Sequence, residues 1–147
     1  MKLLLQRVTQ ASVSVEDVTV SRIGPGLLVF LGLEQGDSRS TAEQLLHRLL
    51  GYRIFADAAG RMNLSVTDAA GDILVVPQFT LAADTTRGRR PGFSRAMPPA
   101  EAQPLYDFCL DWLELKQSSA SVAGGVFGAD MQVSLVNDGP VTFLLTS

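Results

Sequence analysis

The stretch VNDGPVTFLL, Val136 to Leu145, sets a glycine and a proline inside an otherwise strand-like apolar run. Proline cannot donate to a sheet ladder and glycine weakens one, so Gly139-Pro140 marks a turn or a place of close backbone approach. Together with the preceding ADMQVSL it predicts two strands joined at or near Asn137-Asp138-Gly139-Pro140. The other end of the chain has the same character. LLLQRVTQASVSVEDVTVSRIGPGLLVFLGLE is rich in Val, Leu and Ile and is divided by Glu16-Asp17 and by Gly24-Pro25-Gly26, predicting antiparallel strands with hairpin turns.

Between these ends the period changes. In GDSRSTAEQLLHRLLG the residues Ala42, Leu45, Leu46, Leu49 and Leu50 fall on one helical face, Ser40 with Glu43 suggests a capping box, and Gly51 a stop. YRIF and DILVVPQFTL read as further strands, the second apolar enough to be buried on both faces. From Ala82 to Pro99 the chain is polar and rich in Gly, Arg and Pro, a long loop of the kind that usually carries function. PPAEAQPLYDFCLDWLELK forms a second amphipathic helix opening near Pro99, unless Pro104 moves its start later. Strands grouped around two helices predict an α+β domain with a mainly antiparallel sheet.

At 147 residues the chain has the length of one domain, 1–147, and with 46% hydrophobic and 18% charged residues it is globular in composition. No apolar run is long enough to span a membrane, and MKLLLQRVTQ is too short for a secretory signal, so the expected compartment is the cytoplasm. A lone Cys109 excludes an internal disulfide, and with His47 as the only histidine no Cys/His zinc site can assemble; neither metal nor cofactor is expected. The net charge of −3 argues against general electrostatic grip on nucleic acid. Locally, TTRGRRPGF gathers Arg87, Arg89 and Arg90, either as a solvated loop or as a place for phosphates.

Conventional hydrolase chemistry is missing. His47 lies in the helical LLHRLL, no G-x-S-x-G or phosphate loop occurs, and Cys109 sits in the apolar YDFCLDW as a core residue. Asp57, Asp84 and Asp130 are scattered and unpaired. Two segments remain, PQFTL from Pro77 and NDGPVT from Asn137. Alongside QRVTQASV, GRMNLSV, GRRPGFS and FGADMQVSLVNDGPVT, they resemble the D-aminoacyl-tRNA deacylase family in order and over the whole length.

That resemblance implies a partial barrel with two principal helices, and a homodimer that hydrolyses the ester between a D-amino acid, or glycine misplaced on the tRNA for alanine, and the acceptor end of tRNA. It implies that Gly139 and Pro140 form a cis peptide projecting from one subunit into the active site of the other, and that Arg7 fixes this loop. It further implies that Gln78, Phe79 and Thr80 line the catalytic pocket and that Phe127 and Met131 lie near the adenine. A rigid backbone wall at Gly139 accepts the hydrogen of a D-residue or glycine and repels an L side chain, so strict chirality and broad substrate range arise together. Without a protein base, the tRNA 2′-hydroxyl activates water while amides of residues 78–80 stabilise the oxyanion; the rival scheme makes Thr80 a nucleophile.

One departure is Pro77, where the family has serine and where the deacylases of mischarged L-alanyl-tRNA carry proline. A relaxed-chirality deacylase therefore stands as one alternative, and a non-catalytic dimeric protein binding a small metabolite as another.

Overall fold

β1, Lys2–Val15, is the strand on which the others assemble. The structure, a computed structural model, describes residues 1–86 and 88–147. After Val15 the chain reverses through Glu16 and Asp17, both at positive φ (49° and 62°), the pattern of the tight primed turn that suits paired strands. It returns as β2, Val18–Ile23, antiparallel to Ala11–Val15. β3, Gly26–Gly32, pairs with Lys2–Val8 on the same edge of β1. β2 and β3 are thus collinear neighbours, and Gly24-Pro25-Gly26 is a step along β1 rather than the expected hairpin turn. A Cβ on Gly26 would lie 2.0 Å from the carbonyl oxygen of Asp72, so only glycine lets the next strand come alongside.

That strand is β6, Asp72–Pro77, parallel to β3 and reached through α1, Arg39–Gly51, and the short pair β4, Phe55–Ala56, and β5, Met62–Leu64. A single 3₁₀ turn, Phe79–Ala82, and α2, Pro99–Lys116, lead to β7, Val122–Gly124, parallel to β6. β8, Gln132–Thr146, closes the order by pairing antiparallel with the free edge of β1.

The parallel centre explains the continuous apolar run of β6. Leu27, Val29, Leu31, Ile73 and Val75 face the two helices and pack on Leu45, Leu46, Leu49, Cys109 and Leu113. Leu28, Leu74 and Val76 face the other way and meet Val13 and Ile23. β1 serves both cores: Leu3 and Leu5 belong to the helix side, Val8, Ala11 and Val13 to the other. Its change of face falls where its register with β8 shifts, between Gln6 and Gln10. β2 folds over towards β6 and β7, and the sheet is nearly closed.

Further expectations need correction. α1 is capped by Ser38, whose hydroxyl accepts from the Thr41 amide at 3.3 Å, so the helix starts ahead of the proposed Ser40–Glu43 box. Gly51 is its last residue and Tyr52 ends it, donating to the Leu49 carbonyl at 3.2 Å. YRIF contributes only Phe55 to a strand, and β6 stops at Pro77, leaving the rest of PQFTL to the 3₁₀ turn. The last segment is one strand. Asn137 pairs with Val8 and Thr142 with Gln6, so Asp138 to Val141 leave the ladder opposite Arg7 as a four-residue excursion, with Gly139-Pro140 cis.

α2 does open at Pro99, with Pro104 inside it. The Pro98 carbonyl accepts from both Glu101 (3.0 Å) and Ala102 (2.9 Å), which secures the first turn. Among the described residues no helix is long and apolar enough to cross a membrane.

Candidate active site

A cavity of about 680 Å³ opens at the carboxyl ends of the parallel strands β3 and β6, where ligands of such sheets bind. Its walls are the ends of these strands (Leu31, Val76, Pro77), the first turns of α2 (Pro99, Ala102, Tyr106) and the loop between β7 and β8 (Phe127 to Met131). Gln78 and Phe79 stand at its margin, as do Phe93 and Asp130.

The chain turns at the mouth for local reasons. Gln78 donates its amide to the Leu31 carbonyl at 2.7 Å on the β3 side, and Val75 accepts from Gly125 at 2.8 Å on the β7 side. By strand alternation residue 77 faces the β7 side, beyond Gly124 where β7 has ended, so proline there removes no ladder bond. The 3₁₀ turn is closed by Leu81 donating to Gln78 (3.2 Å) and Ala83 to Thr80 (3.1 Å). It sits directly on bare Gly32, whose Cβ would lie 2.7 Å from that of Leu81. As opening residues of the turn, Phe79 and Thr80 have N–H groups that no carbonyl within it accepts. Gln78 differs, because its amide belongs to the sheet.

Thr80 is exposed, and its hydroxyl accepts from Gln78 Nε2 at 2.6 Å. Among the described residues no imidazole, amine or carboxylate bonds it. Phe79 is 59% exposed and leans on Phe93 with ring centroids 5.1 Å apart, a loose aromatic edge to the cavity. Phe93 is carried by the long loop, which is pinned by mutual bonds between Asp84 and Gly92 (2.7 and 3.0 Å). Arg89 and Arg90 are exposed on it, Arg95 pairs with Glu34 at 3.1 Å, and Arg87 lies outside the described residues.

Phe127 and Met131 both line the cavity, and a residue absent from the sequence reading holds them there. The Tyr106 hydroxyl lies 3.0 Å from the Val75 carbonyl and 2.9 Å from that of Gly125, joining the ends of β6 and β7. Burial pushes this phenol far above its ordinary pKa, so it stays a hydrogen donor. Its ring is 6.0 Å from that of Phe127. A Cβ on Gly125 would lie 2.9 Å from Met131 Sδ and 3.2 Å from Pro77 Cδ, so glycine there lets the loop close over the cavity. Aromatic spacing in LYDFCLDW hides this role, because a core tyrosine has the same signature.

Arg7, Gly139 and Pro140 are gathered together, but they are not among the residues lining the cavity of their own chain. Arg7 donates through Nη1 to the Ile54 carbonyl (2.6 Å) and through Nε to that of Asp138 (3.2 Å), and pairs with the Asp138 carboxylate at 3.1 Å. Gly139 has φ 131°, and Gly139 and Pro140 are both exposed.

Of the conventional candidates Asp130 lines the cavity, and the others lie elsewhere. His47 stands edge-on to Trp112 at 4.7 Å, and Cys109 is fully buried, its thiol pushed up to about 12 by burial. Asp57 is held below the usual carboxylate range by the Arg61 and Ala59 amides of its own turn, and Asp84 likewise by the amide and hydroxyl of Thr86. Among the described residues no three His, Cys, Asp or Glu side chains gather as a metal site.

Residues 4–146 match the family model described as D-Tyr-tRNA(Tyr) deacylase. A D-aminoacyl-tRNA deacylase from Enterobacter sp. (strain 638) is 58% identical over 142 residues, covering 97% of each chain. Its namesake from Herminiimonas arsenicoxydans is also 58% identical, over 97% of this chain and 94% of that one. A solved structure described as a c-Myc DNA Unwinding Element Binding Protein superposes with TM-score 0.94 at 39% identity, over 100% of this chain and 99% of its own. A probable eukaryotic D-amino acid tRNA deacylase shares the fold, with TM-score 0.82 at 22% identity over 98% and 97% of the two chains. Near-complete coverage at this identity leaves one conclusion: the chain belongs to the D-Tyr-tRNA(Tyr) deacylase family, hydrolases that act on the ester bond of D-aminoacyl-tRNA.

Proposed function

We propose that the protein is a cytoplasmic editing enzyme that removes D-amino acids, and glycine misplaced on the tRNA for alanine, from the acceptor end of tRNA, and that it does so as a homodimer. The observation that carries this reading is the margin of the cavity, which Phe79 lines, where the Phe79 and Thr80 amides open a turn and, among the described residues, no titratable side chain bonds Thr80. Such a site suits stabilisation of an oxyanion more than proton transfer by the protein. The terminal ribose 2′-hydroxyl, vicinal to the ester, then activates the attacking water. Phe127 and Met131 offer apolar surface to the adenine, and the Tyr106 bonds keep that surface in place.

Chirality is assigned to Gly139-Pro140. The excursion is exposed, carries no side chain at its glycine, and is held by Arg7 through Asp138. Because it does not line the cavity of its own chain, the filter acts on the cavity of a second copy. A D-residue or glycine turns hydrogen towards this backbone, whereas an L-residue turns its side chain into it.

The test is deacylation of matched D-tyrosyl-, L-tyrosyl- and L-alanyl-tRNA, and of D-tyrosyl-tRNA ending in 2′-deoxyadenosine. Cleavage of the D-ester alone, and its loss in the deoxy substrate, is the expected result. Cleavage of L-alanyl-tRNA would assign the protein to the relaxed-chirality deacylases, the reading Pro77 favours. No cleavage of any ester would leave a metabolite-binding dimer.

A further inference from the structure

We propose that Asn137 is a positioning residue for the Gly139-Pro140 excursion and that, on the reading above, it governs discrimination between D- and L-aminoacyl esters without touching the substrate. The excursion leaves the ladder after the Asn137–Val8 pair and rejoins it at Thr142–Gln6, so four residues stand opposite Arg7 alone. The Asn137 carboxamide makes good the loss at the returning foot. Its Oδ1 accepts the Val141 amide at 2.8 Å, while Nδ2 lies 3.3 Å from the Val141 carbonyl and 3.3 Å from Thr142 Oγ1. This is the donor and acceptor pair that a neighbouring peptide presents in a sheet. Gln6 Nε2 adds a contact to the same Thr142 hydroxyl at 3.3 Å.

The two feet of the excursion are therefore fixed by different side chains. Arg7 holds Asp138, and Asn137 holds Val141, whose side chain is buried in the helix-side core. Between them Gly139 and Pro140 are exposed, and among the described residues no side chain bonds either carbonyl. The position of the tip follows from its feet. A backbone wall that separates a hydrogen from a methylene group must be placed to a fraction of an ångström, because repulsion rises steeply with approach.

Only a carboxamide meets both demands. An aspartate at 137 keeps the acceptor for the Val141 amide but has no hydrogen for its carbonyl, and an alanine supplies neither. The experiment compares kcat/KM for D-tyrosyl- and L-tyrosyl-tRNA in the wild type, Asn137→Ala and Asn137→Asp, with Ser134→Ala on the same strand as control and urea midpoints for all. The expected result is a fall of tenfold or more in the D-to-L ratio in both Asn137 variants and an unchanged ratio in Ser134→Ala. A merely structural role lowers the midpoint and scales both esters alike, so a ratio within twofold of wild type in the folded variants overturns the proposal. If Asn137→Ala fails to fold, Asn137→Asp decides. A wild type that shows no preference for the D-ester defeats the functional reading itself, and the inference falls with it.

Discussion

Gly139 cannot take a side chain without moving its neighbours. At φ 131° an added Cβ would lie 2.6 Å from Val141 Cγ2 and 3.0 Å from the Val141 amide. Strain of this kind costs about 1–3 kcal/mol. Gly139→Ala is expected to lower the urea midpoint accordingly and to cut D-ester turnover at least tenfold, as the excursion shifts. Thr80→Ala tests the other half of the site. Among the described residues its hydroxyl meets only the Gln78 carboxamide, at 2.6 Å, so turnover is expected to stay within about tenfold of wild type, the range of one lost neutral hydrogen bond. Complete loss would instead make Thr80 the nucleophile. Gly139-Pro140 was legible in the sequence because the pair is out of place in an apolar run. Asn137 and Tyr106 were not, since each acts through backbone groups that only the register and the β6–β7 crossover bring within reach.

Helix ends show where local signals compete. Ser38 and Ser40 both precede the apolar period of α1, and Ser40 has the glutamate three residues on that marks a capping box, yet the observed cap is Ser38. Ser38→Ala is expected to destabilise by about 1 kcal/mol and Ser40→Ala to change stability by less than about 0.5 kcal/mol, both read from chemical denaturation. The helices themselves were plain from period alone, because Ala42, Leu45, Leu46 and Leu49 are buried as spaced. Strand pairing was harder. β7 is three residues ending in glycine, and β8 reads as two strands until its common partner β1 is known. Whether Gly24-Pro25-Gly26 turns a hairpin or steps along an edge also depends on that partner, which no local pattern names.

For the molecule as a whole, acid is expected to loosen the surface turns before the core. Asp57, Asp68 and Asp84 are all held below the usual carboxylate range, chiefly by backbone amides of Arg61, Ser65 and Thr86. The unfolded chain binds these protons more readily, so this stability is present above the ordinary carboxylate pKa of about 4 and is lost as pH falls through the lower folded values. Assembly is the stronger question at this scale. β8 pairs only with β1 among the described residues, and Val136 and Leu144 on it are 46% and 54% exposed. An open edge with exposed apolar side chains on both sides of the excursion is what a second copy would cover. If the filter acts across subunits, a chain disabled in the excursion by Gly139→Val and a chain disabled in the cavity by Phe127→Ala should restore activity when refolded together. Random pairing makes half the dimers mixed, each with one intact site, so the mixture should reach about a quarter of wild-type turnover. A mixture no more active than its two parents would place the excursion over the cavity of its own chain and remove the reason for a dimer.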